Sequence, residues 1–319
     1  MIPRVAASAP HTAEAAWAHT PERGNQFVWR VMTWISLRLG RPTGRAVLYL
    51  IAGYFLLFAP RSRRASGNYL RRVLGRPPRL LDLYQHFFTF ASTVHDRMYL
   101  VNHRFELFDV EVHGEEALHR LLASGKGLFL IGAHLGSFEV LRALGRKHTN
   151  LHIAMVMHEG NAKKVNAMLA AINPQAMQDV IGLGRVDSML KVSECLDDGG
   201  AVGMLADRTS TSDTLYPVQI LGAQANLPGG PFRMAAVLRR PVVFMTGLYL
   251  GGNRYAIHFH PLADFSTMGR VDRVERDAAV EAAITRYAGL LDQYCRKAPY
   301  NWFNFFDFWQ PVSATTASK

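Results

Sequence analysis

In the stretch GLFLIGAHLGSFEVLRAL, Gly127 to Leu144, an imidazole ends an apolar run and a carboxylate follows five residues later. A histidine at a strand end suits a general base, and Glu139, about one turn into the next helix, suits the carboxylate that orients it and steadies the imidazolium. Gly132 and Gly136 let the backbone turn and a substrate approach. Backbone N–H groups at Gly136 and Gly229 are candidate donors for an oxyanion. Ser137 lacks the G-x-S-x-G surroundings of a nucleophile elbow, so the attacker is expected to be a substrate hydroxyl. The same spacing also fits a histidine capping a helix and a glutamate favoured by its N-terminus.

Short apolar runs alternate with helical stretches from Gly127 onward: GLFLIG, LHIAMVM, a helix near 162–172, another near 187–196, AVGMLAD, YPVQIL, a helix over 231–239, PVVFMTGLYL, RYAIHFH and a long helix near 272–296. That order predicts an α/β fold with a mixed, mostly parallel central sheet flanked by helices. Residues 80–122 read as helical and aromatic-rich. The expected organisation is a loose tail over 1–24, a basic and apolar helical segment over 25–79, the α/β domain over 80–312 and a short tail over 313–319.

The net charge of +11 sits entirely in the first 80 residues, which hold 13 Arg, no Lys and only Glu14 and Glu22 as acids. These arginines flank apolar, aromatic segments, which fits anionic membrane lipids and argues against nucleic acid. Phe27 to Gly40 reads as an amphipathic helix carrying Arg30 and Arg38 beside Arg41. After a turn at 41–44, AVLYLIAGYFLLFA (46–59) is bounded by Arg45 and by Arg61, Arg63 and Arg64. Its length, about 14 residues or roughly 21 Å, falls short of the ~30 Å hydrocarbon core. A hairpin over 27–60 dipping into one leaflet is expected, with a buried core helix as the alternative. The chain shows no secretory signal, P-loop, dinucleotide fingerprint, zinc spacing or disulfide framework, and Cys195 and Cys295 are isolated.

Further candidates lie downstream. Asp207 and Arg208 follow the apolar run of GMLADRTS, and Lys163 and Lys164 open the helix after LHIAMVM, where they would meet a phosphate or a solvated face. His258 and His260 share one side of a strand; without a third ligand at useful spacing they read as a polar sheet face, and no metal is expected. The run WFNFFDFW suits an acyl tunnel, a membrane rim or an aromatic cap over the core.

H-L-G-S-F-E (His134 to Glu139), A-D-R (Ala206 to Arg208), Ile220 to Phe232 with its N-L-P-G-G-P-F, and P-Y-N-W-F-N-F-F (Pro299 to Phe306) together resemble the bacterial lipid A late acyltransferases of lauroyl and myristoyl type, relatives of the glycerolipid acyltransferases. The resemblance implies transfer of an acyl chain from an acyl thioester, on acyl carrier protein or CoA, to a hydroxyl of a membrane lipid or glycolipid, with no cofactor. It implies a site at the cytoplasmic face of the bacterial inner membrane, with the protein held peripherally or monotopically. His134 would be the base, Glu139 its orienter, and Asp207 and Arg208 would line the site, the guanidinium meeting a phosphate. The chain departs from those enzymes at Ser137-Phe138, where Asn-Trp is usual, at Arg208, where Gln is usual, and in lacking an Arg-Pro element after the second strand. It looks closer to the branch found with aryl polyene or similar pigment pathways, which bears on the acceptor. Two other activities suit the same residues: a thioesterase or lipid hydrolase in which the base activates water, and a carrier that only holds a lipid chain.

Overall fold

The computed structural model describes residues 26–142, 152–173, 180–184, 186–208, 213–269 and 272–309. Three helices lead: α1 (Gln26–Phe58), α2 (Pro60–Leu74) and α3 (Leu80–Val101). The rest alternates: β1 (Asp109–His113), α4 (Glu115–Leu122), β2 (Leu128–Gly132), a helix α5 described over 138–142, β3 (Ile153–His158), α6 (Glu159–Ile172), β4 (Val180–Leu183), α7 (Val186–Asp197), β5 (Ala201–Leu205), β6 (Leu215–Ile220), β7 (Ala223–Pro228), α8 (Gly230–Val237), β8 (Pro241–Gly251), β9 (Arg254–Asp264) and α9 (Arg273–Lys297).

Seven strands form one sheet in the order β1-β9-β8-β2-β5-β3-β4, parallel except at the β8–β9 hairpin. The mixed, mostly parallel sheet with flanking helices is the expected one. β2 runs through its centre with all five residues buried, as a strand covered on both faces must. On one face Phe129 and Ile131 join the large core with Phe232, Phe244 and Tyr287; on the other, Leu128 and Leu130 pack with Tyr255 and Phe259.

Two expectations change. The region 80–122 is not wholly helical, because Asp109–His113 pairs in parallel with β9 as an edge strand whose alternating burial the aromatic content masked. The turn over 41–44 is instead a break at one residue, Gly40, with φ 83°, after which Pro42 sits in the first turn of the resumed helix, where its missing N–H costs nothing. Two of the arginines expected at lipid headgroups also turn inward. Arg41 makes a two-pronged ion pair with the buried Asp96, at 2.9 and 3.0 Å, and Arg45 donates to the Tyr249 hydroxyl at 2.8 Å. Tyr255 donates to Asp96 as well, at 2.8 Å, so this ion pair clamps α1 to the sheet through α3. The side chains of 26–33, and with them Arg30, lie outside the described residues.

Candidate active site

β2 and β5 are neighbours in parallel register, with Gly132 opposite Leu205. The ladder continues one step past them, Ala206 N–H donating to Gly132 C=O at 2.9 Å. Two residues beyond each strand, that register brings His134 opposite Asp207. The Asp207 carboxylate accepts from His134 Nδ1 at 2.8 Å, from the His134 backbone N–H at 3.0 Å and from the Trp302 indole N–H at 2.8 Å. Asp207 is only 3% exposed, whereas the His134 side chain is 31% exposed. The dyad therefore has a sealed carboxylate and an accessible imidazole.

The loop carrying His134 is fastened on both flanks. The C-terminal segment pairs with it through Phe303 N–H to His134 C=O, at 2.8 Å, and Gly136 N–H to Asn301 C=O, at 2.9 Å. From β8, Gly247 C=O accepts from Ser137 N–H at 2.7 Å, and the Thr246 hydroxyl donates to Leu135 C=O at 2.9 Å. Gly136 has φ 77°, and a Cβ there would collide with the Gly247 carbonyl, so only glycine fits. Asn301 secures the segment in turn, its amide exchanging two hydrogen bonds with the Tyr249 backbone, at 2.7 and 3.1 Å.

Burial lowers the His134 pKa below its ordinary value, and the Arg208 charge, with a smaller contribution from Arg97, lowers it further against the opposing pull of Asp207. Burial alone would raise Asp207; the imidazole, Arg208 and the indole N–H instead hold it well below the usual carboxylate range. At neutral pH the site holds a neutral imidazole against an ionised carboxylate. Nδ1 is taken by Asp207, which leaves Nε2 as the ring nitrogen able to accept a proton.

The carboxylate on His134 Nδ1 is thus that of Asp207, where Glu139 was expected. Glu139, 5% exposed, lies 3.4 Å from Arg142 Nη1 and 3.9 Å from Arg97 Nε, captured by guanidinium groups while Asp207 occupies Nδ1. Asp207, expected to line the substrate, is buried behind the His134 imidazole. The two candidate oxyanion amides are both committed, Gly136 N–H to Asn301 and Gly229 N–H to the Thr214 carbonyl at 2.9 Å. Arg208 does stand beside the dyad, donating to Phe303 C=O at 3.3 Å with its guanidinium over the Phe306 ring.

Lys163 is not brought to the dyad. It pairs with Glu159 one turn back, at 3.1 Å, and lines a cavity of about 260 Å³ with Asn166, Asp187 and Lys191 by the edge strand β4. The Lys164 side chain lies outside the described residues. His258 stacks on His113 and His260 bonds Tyr294, forming a polar face under α9; among the described residues no group of three or more potential ligands suits a metal.

Trp302 and Arg97 are the site residues that sequence reasoning missed. The P-Y-N-W-F-N-F-F segment was visible, but a tryptophan in an aromatic run does not announce which carboxylate its N–H will meet. Arg97 lies in α3, far from any motif.

No curated protein matches the chain in sequence. The sequence model of one family, described as bacterial lipid A biosynthesis acyltransferase, does match, and it spans residues 88–310, which include the dyad and Trp302. The match covers most of the chain, so this protein belongs to the bacterial lipid A biosynthesis acyltransferase family and is an acyltransferase.

Proposed function

We propose that the protein moves an acyl chain from an acyl thioester, carried by acyl carrier protein or CoA, to a hydroxyl of a lipid A-like or other membrane lipid, with His134 as general base and Asp207 as its orienter. The observation that carries this reading is the His134–Asp207 contact at the accessible end of β2 and β5. The acceptor oxygen attacks the thioester carbonyl as Nε2 takes its proton. A carbon–oxygen bond forms, the carbon–sulfur bond breaks, and the imidazolium returns the proton to the departing thiolate. Asp207 keeps the proton-accepting nitrogen facing the substrate and offsets the charge gained. No covalent acyl-enzyme is needed.

Members of the family are typically membrane-associated in bacteria. Among the described residues no single helix is long and apolar enough to cross a membrane, while Arg38–Phe58 and Pro60–Leu74 form a pair bent by 95°. Leu50, Tyr54, Leu57 and Phe58 follow helical spacing along one side of α1 and are exposed, as are Leu80 and Leu81 at the start of α3. Leu48 and Ala52 on the other side pack against Phe87 and Phe88. An exposed apolar band ending beside the exposed Arg61 and Arg64 in the first turns of α2 supports binding within one leaflet, with these arginines at anionic headgroups. Acyl thioesters are cytoplasmic metabolites, which argues for the cytoplasmic face of the inner membrane.

The test is transfer of a labelled acyl group by the full chain in vesicles containing lipid alcohols. His134→Ala should remove transfer by about 10³-fold or more and Asp207→Asn by a smaller but large factor, with unfolding midpoints retained for the first. Label recovered in lipid ester supports the reading; label found only as free acid, or a fully active His134→Ala, defeats it.

A further inference from the structure

The segment WFNFFDFW suits a tunnel, a membrane rim or a cap, and the contacts of its phenylalanines separate these roles. Leu135 bridges to Trp302, which sets His134 across from Phe303, whose N–H bonds the His134 carbonyl. From Phe303 an unbroken row of rings leads away from the dyad. Between ring centres, Phe90 of α3 stands 5.2 Å from Phe303 and 5.3 Å from Phe305, and Phe305 stacks on Phe87 at 5.1 Å. Phe87 faces Phe55 of α1 at 6.4 Å, and Phe55 meets Tyr54 at 5.7 Å. Tyr54 belongs to the exposed apolar band of α1. The row therefore joins the loop of the base to the face of the protein that meets lipid.

Burial distinguishes this row from a cap. A cap seals its rings, as Trp302 and Phe303 are sealed, whereas Phe90 is 37% exposed and Phe305 and Phe55 are half-buried. Buried Phe87 and Phe303 form a floor, and the open rings leave apolar surface along it that is stabilised when another apolar group covers it. Direction distinguishes the two chains of the reaction. An acyl chain delivered on a soluble carrier needs no route to the bilayer. A lipid alcohol does, because its hydroxyl must reach His134 while lifting a whole tail from hydrocarbon into water is unfavourable in proportion to the area exposed.

Resting on the acyl-transfer reading, we propose that Phe90, Phe305 and Phe55 form a tail subsite for the acceptor: one hydrocarbon chain of the lipid alcohol lies along this row, its far end still in the bilayer beside Tyr54, while the hydroxyl reaches His134.

The experiment compares the full chain with Phe90→Asp and Phe90→Leu in vesicles. Two acceptors share one headgroup and differ in tail, one long and bilayer-bound, the other short and water-soluble; the donors are a long and a short acyl thioester. Phe90→Asp should lower kcat/KM for the long-tailed acceptor by about tenfold and for the short one by less than about twofold with either donor, and Phe90→Leu should recover most of the loss. A loss that tracks the length of the donor chain would give the row to the donor and overturn the proposal, as would equal losses with both acceptors or none. Vesicle flotation should be unchanged; a fall in flotation matching the fall in transfer would make Phe90 part of the membrane face and no tail subsite. A second measurement needs neither variant nor turnover. A lipid alcohol with a diazirine midway along its tail, photolysed with wild type in vesicles, should label the peptides bearing Phe90 and Phe305 as well as that bearing Tyr54. Label confined to α1 would rule the subsite out even where ester forms. If wild type forms no ester while Phe90 and Phe305 are labelled, the acyl-transfer reading fails and the tail subsite stands.

Discussion

The carboxylate that takes the Nδ1 hydrogen of His134 belongs to Asp207, 73 positions away in the chain, while the glutamate five positions away binds arginines. Spacing along one segment pointed to Glu139 because a glutamate one turn into a helix can tilt back toward the preceding loop. The distant aspartate won because it is fixed at two points, by the backbone N–H and the imidazole of the same residue. One consequence is a shifted pH profile. In the proposed mechanism catalysis needs the neutral imidazole, and burial with Arg208 lowers the folded pKa, so the neutral form persists to lower pH. The acid limb of kcat/KM is expected below the ordinary imidazole value of about 6.5, and Arg208→Gln should move it upward. A wild-type limb above that value would contradict the arrangement.

At the scale of elements, the C-terminal segment does more than cap the core. It pairs with the His134 loop, lends Trp302 to Asp207, and is tied to α3 by His86, whose Nε2 lies 2.8 Å from the Trp302 carbonyl while Nδ1 lies 2.8 Å from the Ser66 hydroxyl of α2. Burial pushes the His86 pKa from 6.5 down to about 4, against the smaller opposing effect of the Trp302 carbonyl. The folded state therefore resists a proton that the unfolded chain accepts. Stability from this residue is full above about 6.5 and is lost as pH falls through that window toward 4, by about 3 kcal/mol in all. Denaturant unfolding of wild type and His86→Gln at pH 7 and pH 4 measures it: the variant starts less stable and should lose about 3 kcal/mol less on acidification. Equal losses in the two proteins would show that His86 is not the group responsible.

At the scale of the whole molecule, α1 faces two ways: one side joins Phe87 and Phe88, while the other presents Leu50, Leu57 and Phe58 outward beside the arginines of α2. Exposed leucines contribute little to folding, so Leu50→Asp with Leu57→Asp should leave thermal unfolding within a few degrees of wild type while abolishing flotation with anionic vesicles. Flotation that survives the double substitution would locate membrane binding elsewhere. The sequence by itself determined most of the elements, because apolar runs of strand length, helical periodicity and Gly-Pro punctuation act locally. Through its family resemblance it also grouped His134, Glu139, Asp207 and Arg208, and left the aromatic C-terminal segment as an acyl tunnel, a membrane rim or a cap over the core. Which of them touch was decided only by tertiary structure, since the partner of an imidazole depends on which strands lie side by side and in what register. With β2 and β5 adjacent and Gly132 opposite Leu205, His134 meets Asp207, and Glu139 is left to Arg97 and Arg142. Strand order arises from packing the entire sheet, and no window of the chain contains it.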